Sequence, residues 1–212
     1  HRRAGYASAG DGMTGKFLVP EAIRAGIVAK PERLATRPTL PGTPAAAAIA
    51  ESLEYVWACS AFAADACLRD EGLLEWLATQ GRLLEHADAA WYAQTADAVT
   101  QPGQNDDATF MSALRIFRRR QLVRIAWRDL AGDAPIEQIL AELSWLADAC
   151  INVACRQAAA LLGARHGLPK DRNGVELPLL VLGMGKLGGG ELNFSSDIDL
   201  VFLFAEHGET AG

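Results

Sequence analysis

The sequence lacks any apolar run long enough to cross a membrane, which excludes one broad class of protein. No stretch approaches the roughly 18 consecutive apolar residues that a spanning helix requires. The opening segment, HRRAGYASAGDG, is followed by no continuous apolar segment of the kind that a secretory signal peptide needs. The sequence therefore predicts a globular protein of the cytoplasm, without a membrane partner.

A surplus of positive charge is also absent. The chain has 20 Lys and Arg residues against 26 Asp and Glu residues, which gives a formal net charge of -6. A general nucleic-acid binder relies on surplus positive charge to neutralise phosphates, so this charge balance argues against that class. A protein partner or a metal-bound nucleotide suits the chain better.

Cysteine and histidine are scarce, and neither forms a metal-binding pattern. The cysteines form no C-x-x-C pair and lie in apolar, helix-patterned stretches, which predicts buried free thiols. The histidines at 86, 166 and 207 have no metal-ligand spacing, so we assign them no special role. The four cysteines are Cys59, Cys67, Cys150 and Cys155.

Composition divides the chain into three parts. Residues 1–44 mix Gly, Pro, Ala and basic residues with little periodicity, which predicts a poorly ordered lead-in. Residues 45–170 have apolar residues at helical spacing, and residues 171–212 begin with a polar turn that is followed by short apolar, β-branched runs. The predicted fold class is α+β, with an all-helical N-terminal region followed by the first strands of a sheet.

Glycine, proline and polar clusters mark the predicted bounds of the elements. The stretch from Ala45 to Leu84, with breaks at Gly72 and Gly81, is predicted to form a helical hairpin or a pair of short helices. The further predicted elements are a loop at 100–107, a helix at 108–130, a long helix from Asp133, as N-cap, to Gly167, and buried strands at 177–183 and 197–204.

Two aspartates open the second predicted strand. Alternate side chains of a strand share a face, so Asp197 and Asp199 are expected to point the same way about 7 Å apart. Two neighbouring carboxylates at the head of an apolar strand are unfavourable unless a cation lies between them or solvent reaches them. The pair is a candidate Mg²⁺ site, and the alternative is two solvated residues at the strand entrance.

A glycine-rich segment, GMGKLGGG at 183–190, precedes the aspartates. It follows a predicted strand, offers close backbone approach and free N–H groups, and carries Lys186, which suits phosphate binding; the alternative is a tight structural turn. The match to G-x-G-x-x-G is not followed by the crossover helix of a dinucleotide fold. Lys186 is followed by Leu187 and not by Ser or Thr, which excludes a P-loop.

A strand, a glycine-rich turn, a Ser-Ser pair and D-x-D at a second strand form the layout of the polymerase-β-like nucleotidyltransferases. The segment GMGKLGGGELNFSSDIDLVFLF resembles the catalytic opening of the glutamine synthetase adenylyltransferase family, whose members both attach and remove adenylyl groups. The segment ALRIFRRRQLVRIAWRDLAG at 113–132 resembles the helix that precedes this site. The sequence similarity to the family is strong over residues 108–207 and weak or missing before Ala45. The form GGGELNFSSDIDL, together with the FRRR helix, resembles the amino-terminal, adenylyl-removing half of the family.

This resemblance implies a reaction and a set of roles. In the amino-terminal half, inorganic phosphate attacks the adenylyl phosphorus on a tyrosine of glutamine synthetase and releases ADP. Asp197 and Asp199 would be catalytic Mg²⁺ ligands, while Glu191 and Asn193 would shape the turn. The residues expected to contact nucleotide or phosphate are Gly183, Gly185, Lys186, Gly188, Gly189, Ser195 and Ser196.

One departure from the family pattern concerns a third carboxylate. Family members supply it from a later strand, whereas Glu206 and Glu209 follow the D-x-D strand too closely to play that part. We therefore expect these 212 residues to be inactive alone. The start at His1 and the stop directly after a predicted strand lead us to expect a piece of a longer protein. The family also implies regulation by glutamine and the PII signalling protein.

Two other functions are compatible with the sequence. The first is the opposite reaction, transfer of AMP from ATP to glutamine synthetase, because both halves share the site plan. The second is a non-catalytic interaction module that uses the helices as its working surface. In the predicted helix at 108–130, helical spacing predicts core positions at Phe110, Leu114, Phe117 and Ile125. The same helix carries arginines at 115, 118–120 and 124. These arginines form either a solvated face or a surface that binds phosphate or an acidic partner.

Overall fold

The computed structural model describes Phe17, Val19, residues 40–204 and Thr210. Most of the predicted lead-in at 1–44 lies outside these residues, as do His207 and the two glutamates at 206 and 209. The described part is mostly helical and ends in a two-stranded antiparallel sheet. This confirms the predicted α+β class and the change from helices to strands along the chain.

Three helices form the N-terminal part: α1 (Pro44–Cys59), α2 (Ala61–Arg69) and α3 (Leu73–Thr79). The prediction of one hairpin or two short helices missed the break at Ser60. That residue ends α1 with an extended backbone and caps α2, since its side chain accepts a hydrogen bond from the Ala63 N–H at 3.1 Å. Gly72 precedes α3, as predicted for a break.

Three longer helices follow: α4 (Ala89–Thr100), α5 (Asp107–Ala131) and α6 (Ile136–His166). The N-cap of α6 is Pro135, so the predicted N-cap role of Asp133 was wrong. The reason is that the Asp133 N–H completes the end of α5 by donating to the Arg128 carbonyl at 2.8 Å. Gly132 allows this closure because it takes the left-handed conformation, with φ of 69°.

Helix α5 lies between two apolar cores. The first core joins α1, α2 and α3 to one side of α5, where Trp127 is buried and its indole N–H donates to the Ser52 hydroxyl at 2.9 Å. The second core joins α4 and α6 to the other side of α5 and includes Leu187 and Leu192 from the C-terminal segment. Burial of Phe110, Phe117 and Ile125, with Leu114 packed beside them, confirms the predicted core residues of α5.

The arginines of α5 differ from one another in environment, contrary to the prediction of one shared surface. Arg124 is fully buried and paired with Glu142 of α6, which is also fully buried. Arg120 forms a two-pronged hydrogen bond with Asp70, at 2.8 and 2.9 Å. Arg115 and Arg118 are exposed. The run therefore contributes largely to packing between helices, with only part of it on a solvated face.

The sheet consists of β1 (Leu180–Gly183) and β2 (Leu200–Leu203), which pair antiparallel with Leu180 opposite Leu203 and Gly183 opposite Leu200. Between them lies α7 (Gly185–Gly188). Both strands are shorter than predicted, and the prediction that they are buried was wrong: Leu180 and Phe202 are 52% and 55% exposed. Within the described residues the sheet has two strands and no covering layer, so most of its apolar side chains face solvent, while Leu200 packs against the second core.

The cysteines are all free thiols, as predicted, but their burial varies. Cys67 is buried in the first core, and Cys150 and Cys155 are half-buried. Cys59 is exposed at the end of α1, so the prediction of burial was wrong for this residue. Among helices in the described part of the chain, none combines the length and apolar character that would let it cross a membrane.

Candidate phosphate and metal site

One backbone hydrogen bond brings the two halves of the candidate site together. The N–H of Met184, directly after β1, donates to the carbonyl oxygen of Asp199, directly before β2, at 2.9 Å. This bond extends the pairing of β1 and β2 by one step beyond Gly183 and Leu200. The start of the glycine-rich segment and the second aspartate are therefore neighbours in space.

The glycine-rich segment is a short helix rather than an open loop. The N–H groups of Gly188 and Gly189 donate to the carbonyls of Met184 and Gly185, at 3.3 and 3.1 Å. Their N–H groups are therefore already engaged, which differs from the predicted set of free donors. The first N–H groups of a helix have no acceptor within it, so those of Gly185 and Lys186 remain at the open end of α7.

Two glycines are required by the backbone geometry of this turn. Gly185 has φ of 56°, in the left-handed region that side chains disfavour. Gly188 lies so close to β1 that an added Cβ would collide with the Gly183 carbonyl oxygen. At Gly188 the group in close approach is the preceding strand, which fits the alternative of a tight structural turn, and the predicted contact of this glycine with phosphate stays a prediction.

The segment between α7 and the aspartates is held at two points. The Leu192 N–H donates to the hydroxyl of Ser144 on α6, at 3.1 Å, and Leu192 itself is buried. Asn193 then organises the following turn, because its carbonyl accepts from the Ser196 N–H at 3.2 Å and its side chain accepts from the Ser196 hydroxyl at 2.5 Å. The Ser195 hydroxyl lies 3.4 Å from the same side-chain oxygen. Asn193 thus has the turn-shaping position expected of it.

The hydroxyl hydrogen of Ser196 is consequently directed at Asn193. A phosphate oxygen accepts hydrogen bonds, so Ser196 would have to rotate its hydroxyl to contact one. Ser195 is more exposed, and its hydroxyl has the longer and weaker contact. Of the two predicted serines, Ser195 is the more available donor.

Asp197 and Asp199 are both exposed and precede β2, instead of lying within it as predicted. Their carboxylates have no hydrogen-bond or ion-pair partner within the described residues. Exposed, unpaired carboxylate oxygens are the hard ligands that Mg²⁺ prefers, and the ion keeps several waters, so the pair fits such an ion. No third Asp, Glu, His or Cys of the described residues joins them in a group that could hold a metal.

Lys186 is the cation of the site. It lies in α7, is exposed, and has no acidic partner within the described residues. Its positive charge is carried by the same short helix as the open N–H groups of Gly185 and Lys186. This end of the sheet therefore combines a cationic, N–H-rich turn with an adjacent carboxylate pair, the two kinds of group that a metal-bound phosphate requires.

The chain belongs to the glutamate-ammonia ligase adenylyltransferase family, whose profile matches residues 50–212. Two similar proteins are each named bifunctional glutamine synthetase adenylyltransferase/adenylyl-removing enzyme. The one from Thioalkalivibrio sulfidiphilus is 47% identical over 162 residues, which are 76% of this chain and 17% of that protein. The one from Shewanella loihica is 51% identical over 110 residues, which are 52% of this chain and 12% of that protein. The chain thus spans less than a fifth of the length of these relatives.

Proposed function

We propose that residues 171–212 begin the catalytic core of a polymerase-β-like nucleotidyltransferase that acts on glutamine synthetase. The observation that carries this proposal is the hydrogen bond between Met184 and Asp199, since it joins the phosphate-binding turn to the carboxylate pair. Membership of the adenylyltransferase family supports the choice of reaction class. The names of the relatives support glutamine synthetase as the protein substrate.

In this proposal the residues divide into two groups by charge. Asp197 and Asp199 hold Mg²⁺, which when bound neutralises phosphate charge during transfer. The open N–H groups at Gly185 and Lys186, with the Lys186 ammonium, bind phosphate oxygens. Ser195 donates a further hydrogen bond after the turn at Asn193. Gly183 and Gly188 act through backbone shape, because a side chain at either position would collide with its neighbours.

The direction that we propose is removal of the adenylyl group by phosphorolysis. An oxygen of inorganic phosphate forms a bond to the adenylyl phosphorus, the bond from that phosphorus to the tyrosine oxygen breaks, and the tyrosine oxygen takes a proton as ADP leaves. This direction is supported by the sequence GGGELNFSSDIDL and the FRRR segment of α5, because both resemble the adenylyl-removing half of the family. Cytoplasmic location and regulation by glutamine and PII belong to the same proposal.

The experiment measures phosphate-dependent ADP release from adenylylated glutamine synthetase, with an enzyme of full family length that contains this chain. Asp197→Asn and Asp199→Asn are each expected to lower kcat by at least about 100-fold with Mg²⁺ present, without lowering Tm. Transfer of AMP from ATP in place of ADP release would assign the opposite direction. Binding of glutamine synthetase with neither reaction would instead favour the interaction module.

The 212-residue chain alone should show no turnover in the same assay. The physical reason is that two carboxylates leave the metal site one ligand short of the family pattern. A matched reaction with the longer enzyme supplies the positive control. Phosphate-dependent ADP release by the 212 residues alone would contradict this part of the proposal.

A further inference from the structure

We propose that Ser144 on α6 is a positioning residue for the aspartate pair, an inference that rests on the function proposed above. Ser144 is buried, and it lies 48 positions before Leu192, to which it is hydrogen-bonded. No motif of the candidate site includes it. Its role would be to fix the segment that carries Asp197 and Asp199 onto the helical region.

The geometry at Ser144 gives its hydroxyl two defined partners. The hydroxyl donates to the Leu140 carbonyl of the same helix at 2.9 Å and accepts from the Leu192 N–H at 3.1 Å. The first bond orients the oxygen lone pairs away from the helix, toward the C-terminal segment. Because Leu192 is buried, its N–H has no access to solvent as a replacement acceptor.

A short chain of contacts leads from Leu192 to the carboxylates. Asn193 follows Leu192 and accepts both the N–H and the hydroxyl of Ser196. Asp197 follows Ser196 directly, and the Asp199 carbonyl is tied to Met184. A shift of Leu192 relative to α6 therefore moves the turn, and with it the first aspartate, relative to α7.

Apolar packing alone does not fix this register. Leu187, Leu192 and Leu200 pack against the second core, but burial of apolar surface is non-directional and tolerates sliding. A hydrogen bond has a preferred distance and angle, so it selects one placement of the segment. Of the contacts between α6 and the segment from Leu187 to Asp199, the Ser144 hydroxyl supplies this directional one.

The protein contains a matched control for this role. Ser52 on α1 is equally buried, its hydroxyl donates to the Ala48 carbonyl at 2.6 Å, and it accepts the Trp127 indole N–H at 2.9 Å. Both serines thus bond back to their own helix and accept an N–H from another element. Ser52 lies in the first core, away from α7 and the aspartates.

The first measurement is hydrogen exchange of backbone amides 191–199 in wild type, Ser144→Ala and Ser52→Ala. We expect exchange there to speed up by about tenfold in Ser144→Ala and to stay unchanged in Ser52→Ala, at similar losses of Tm. Equal exchange at 191–199 in all three proteins would overturn the proposal. Hydrogen exchange requires no enzymatic activity, so its result does not depend on whether the enzyme acts on glutamine synthetase.

The second measurement is kinetic, with an enzyme of full family length that contains this chain. Ser144→Ala should lower kcat by roughly 10- to 100-fold with KM for the protein substrate unchanged, because misplaced ligands impair the chemical step more than docking. Ser52→Ala should keep kcat within about twofold. Equal kcat losses in the two variants would mean that Ser144 is merely structural.

A third variant keeps the test decisive if Ser144→Ala does not fold. Ser144→Cys keeps the shape of the side chain, with a slightly larger volume, but is a weaker acceptor. Its effects on exchange and on kcat should therefore lie between those of wild type and those expected for Ser144→Ala. Wild-type exchange and kcat in Ser144→Cys would overturn the role of the hydroxyl. A wild-type enzyme without any activity on glutamine synthetase, combined with fast exchange in Ser144→Ala, would refute the proposed function and leave the positional link intact.

Discussion

The N–H of Met184 lies 2.9 Å from the carbonyl oxygen of Asp199 and donates to it. The two residues flank the sheet, one leaving β1 and the other entering β2. The segment closed by this bond contains α7, the turn at Asn193 and both aspartates, while Gly183 precedes it and Ser144 lies on α6. The helical turn, the serine turn and both carboxylates therefore depend on the close approach of α7 to β1.

That close approach leads to a prediction for two adjacent glycines. Gly188→Ala would push a Cβ into the Gly183 carbonyl oxygen, whereas Gly189→Ala would meet no atom nearer than 3.6 Å. Gly188→Ala should therefore cost about 1–3 kcal/mol locally and abolish activity, while Gly189→Ala should be close to neutral. Hydrogen exchange at 183–199 together with the ADP-release assay measures both effects. Equal behaviour of the two variants would show that α7 does not pack on β1 in this way.

The sequence predicted the elements whose signals are local. Gly132 ends α5, as predicted, and a glycine after an apolar-periodic stretch is a short-range signal that can be read without the fold. The same holds for the polar turn at 170–176, where the N–H groups of Asn173 and Val175 donate to the Asp171 side chain. These predictions from local chemistry needed no knowledge of tertiary contacts.

Apart from the local errors at Ser60 and Asp133, several of the features that failed depend on distant partners. In the sequence, Arg124 belongs to a run of basic residues. In the fold it is a core residue because it pairs with Glu142, which lies 18 residues later in the chain. The apolar runs around Leu180 and Phe202 indicate strands that bury both faces, but burial also requires covering layers, which the described residues do not supply. Ser144 carried no signal at all, because its partner at the site is 48 residues away.

Stability should fall at acid pH through Asp70. Hydrogen bonds from Arg120 hold the pKa of this carboxyl below its ordinary value of 3.8. A depressed pKa means that the stabilisation is present above about pH 4 and is lost as the pH falls through the folded value. Asp70→Asn should therefore lower the free energy of unfolding by about 1–2 kcal/mol at pH 7 and by much less at pH 2. The loss at pH 7 is smaller than for a buried ion pair because this site is partly exposed.

Urea unfolding of wild type and Asp70→Asn at both pH values measures this difference. Glu85→Gln is the control, since the Glu85 carboxylate pairs with Arg82 at the surface, where the two side chains are 62% and 37% exposed. That variant should change stability by less than about 0.5 kcal/mol at either pH. A cost for Asp70→Asn that stays constant from pH 7 to pH 2 would contradict the assignment to the Arg120 pair.

The cysteines should differ in reactivity according to their burial. Cys59 is exposed, whereas burial raises the pKa of Cys67 to about 12. The thiolate is the reactive form, so at pH 8 a thiol reagent should modify Cys59 quickly and Cys67 only after unfolding. Spectroscopic thiol titration in buffer and in denaturant measures both phases. Cys59→Ser should remove the fast phase, and a fast phase that survives this substitution would refute the assignment.

The largest loss of stability should follow from Glu142→Gln. Arg124 and Glu142 are both fully buried, and Arg128 lies beside them with its Nε 3.8 Å from the carboxylate. Neutralising Glu142 leaves two guanidinium groups in the interior without a compensating charge, which costs about 3–5 kcal/mol. Asp97→Asn removes one partner of a half-exposed pair with Arg156 and should cost less than about 1 kcal/mol. Urea unfolding at pH 7 compares the two variants, and a similar small cost for both would mean that the buried charges are not what joins α5 to α6.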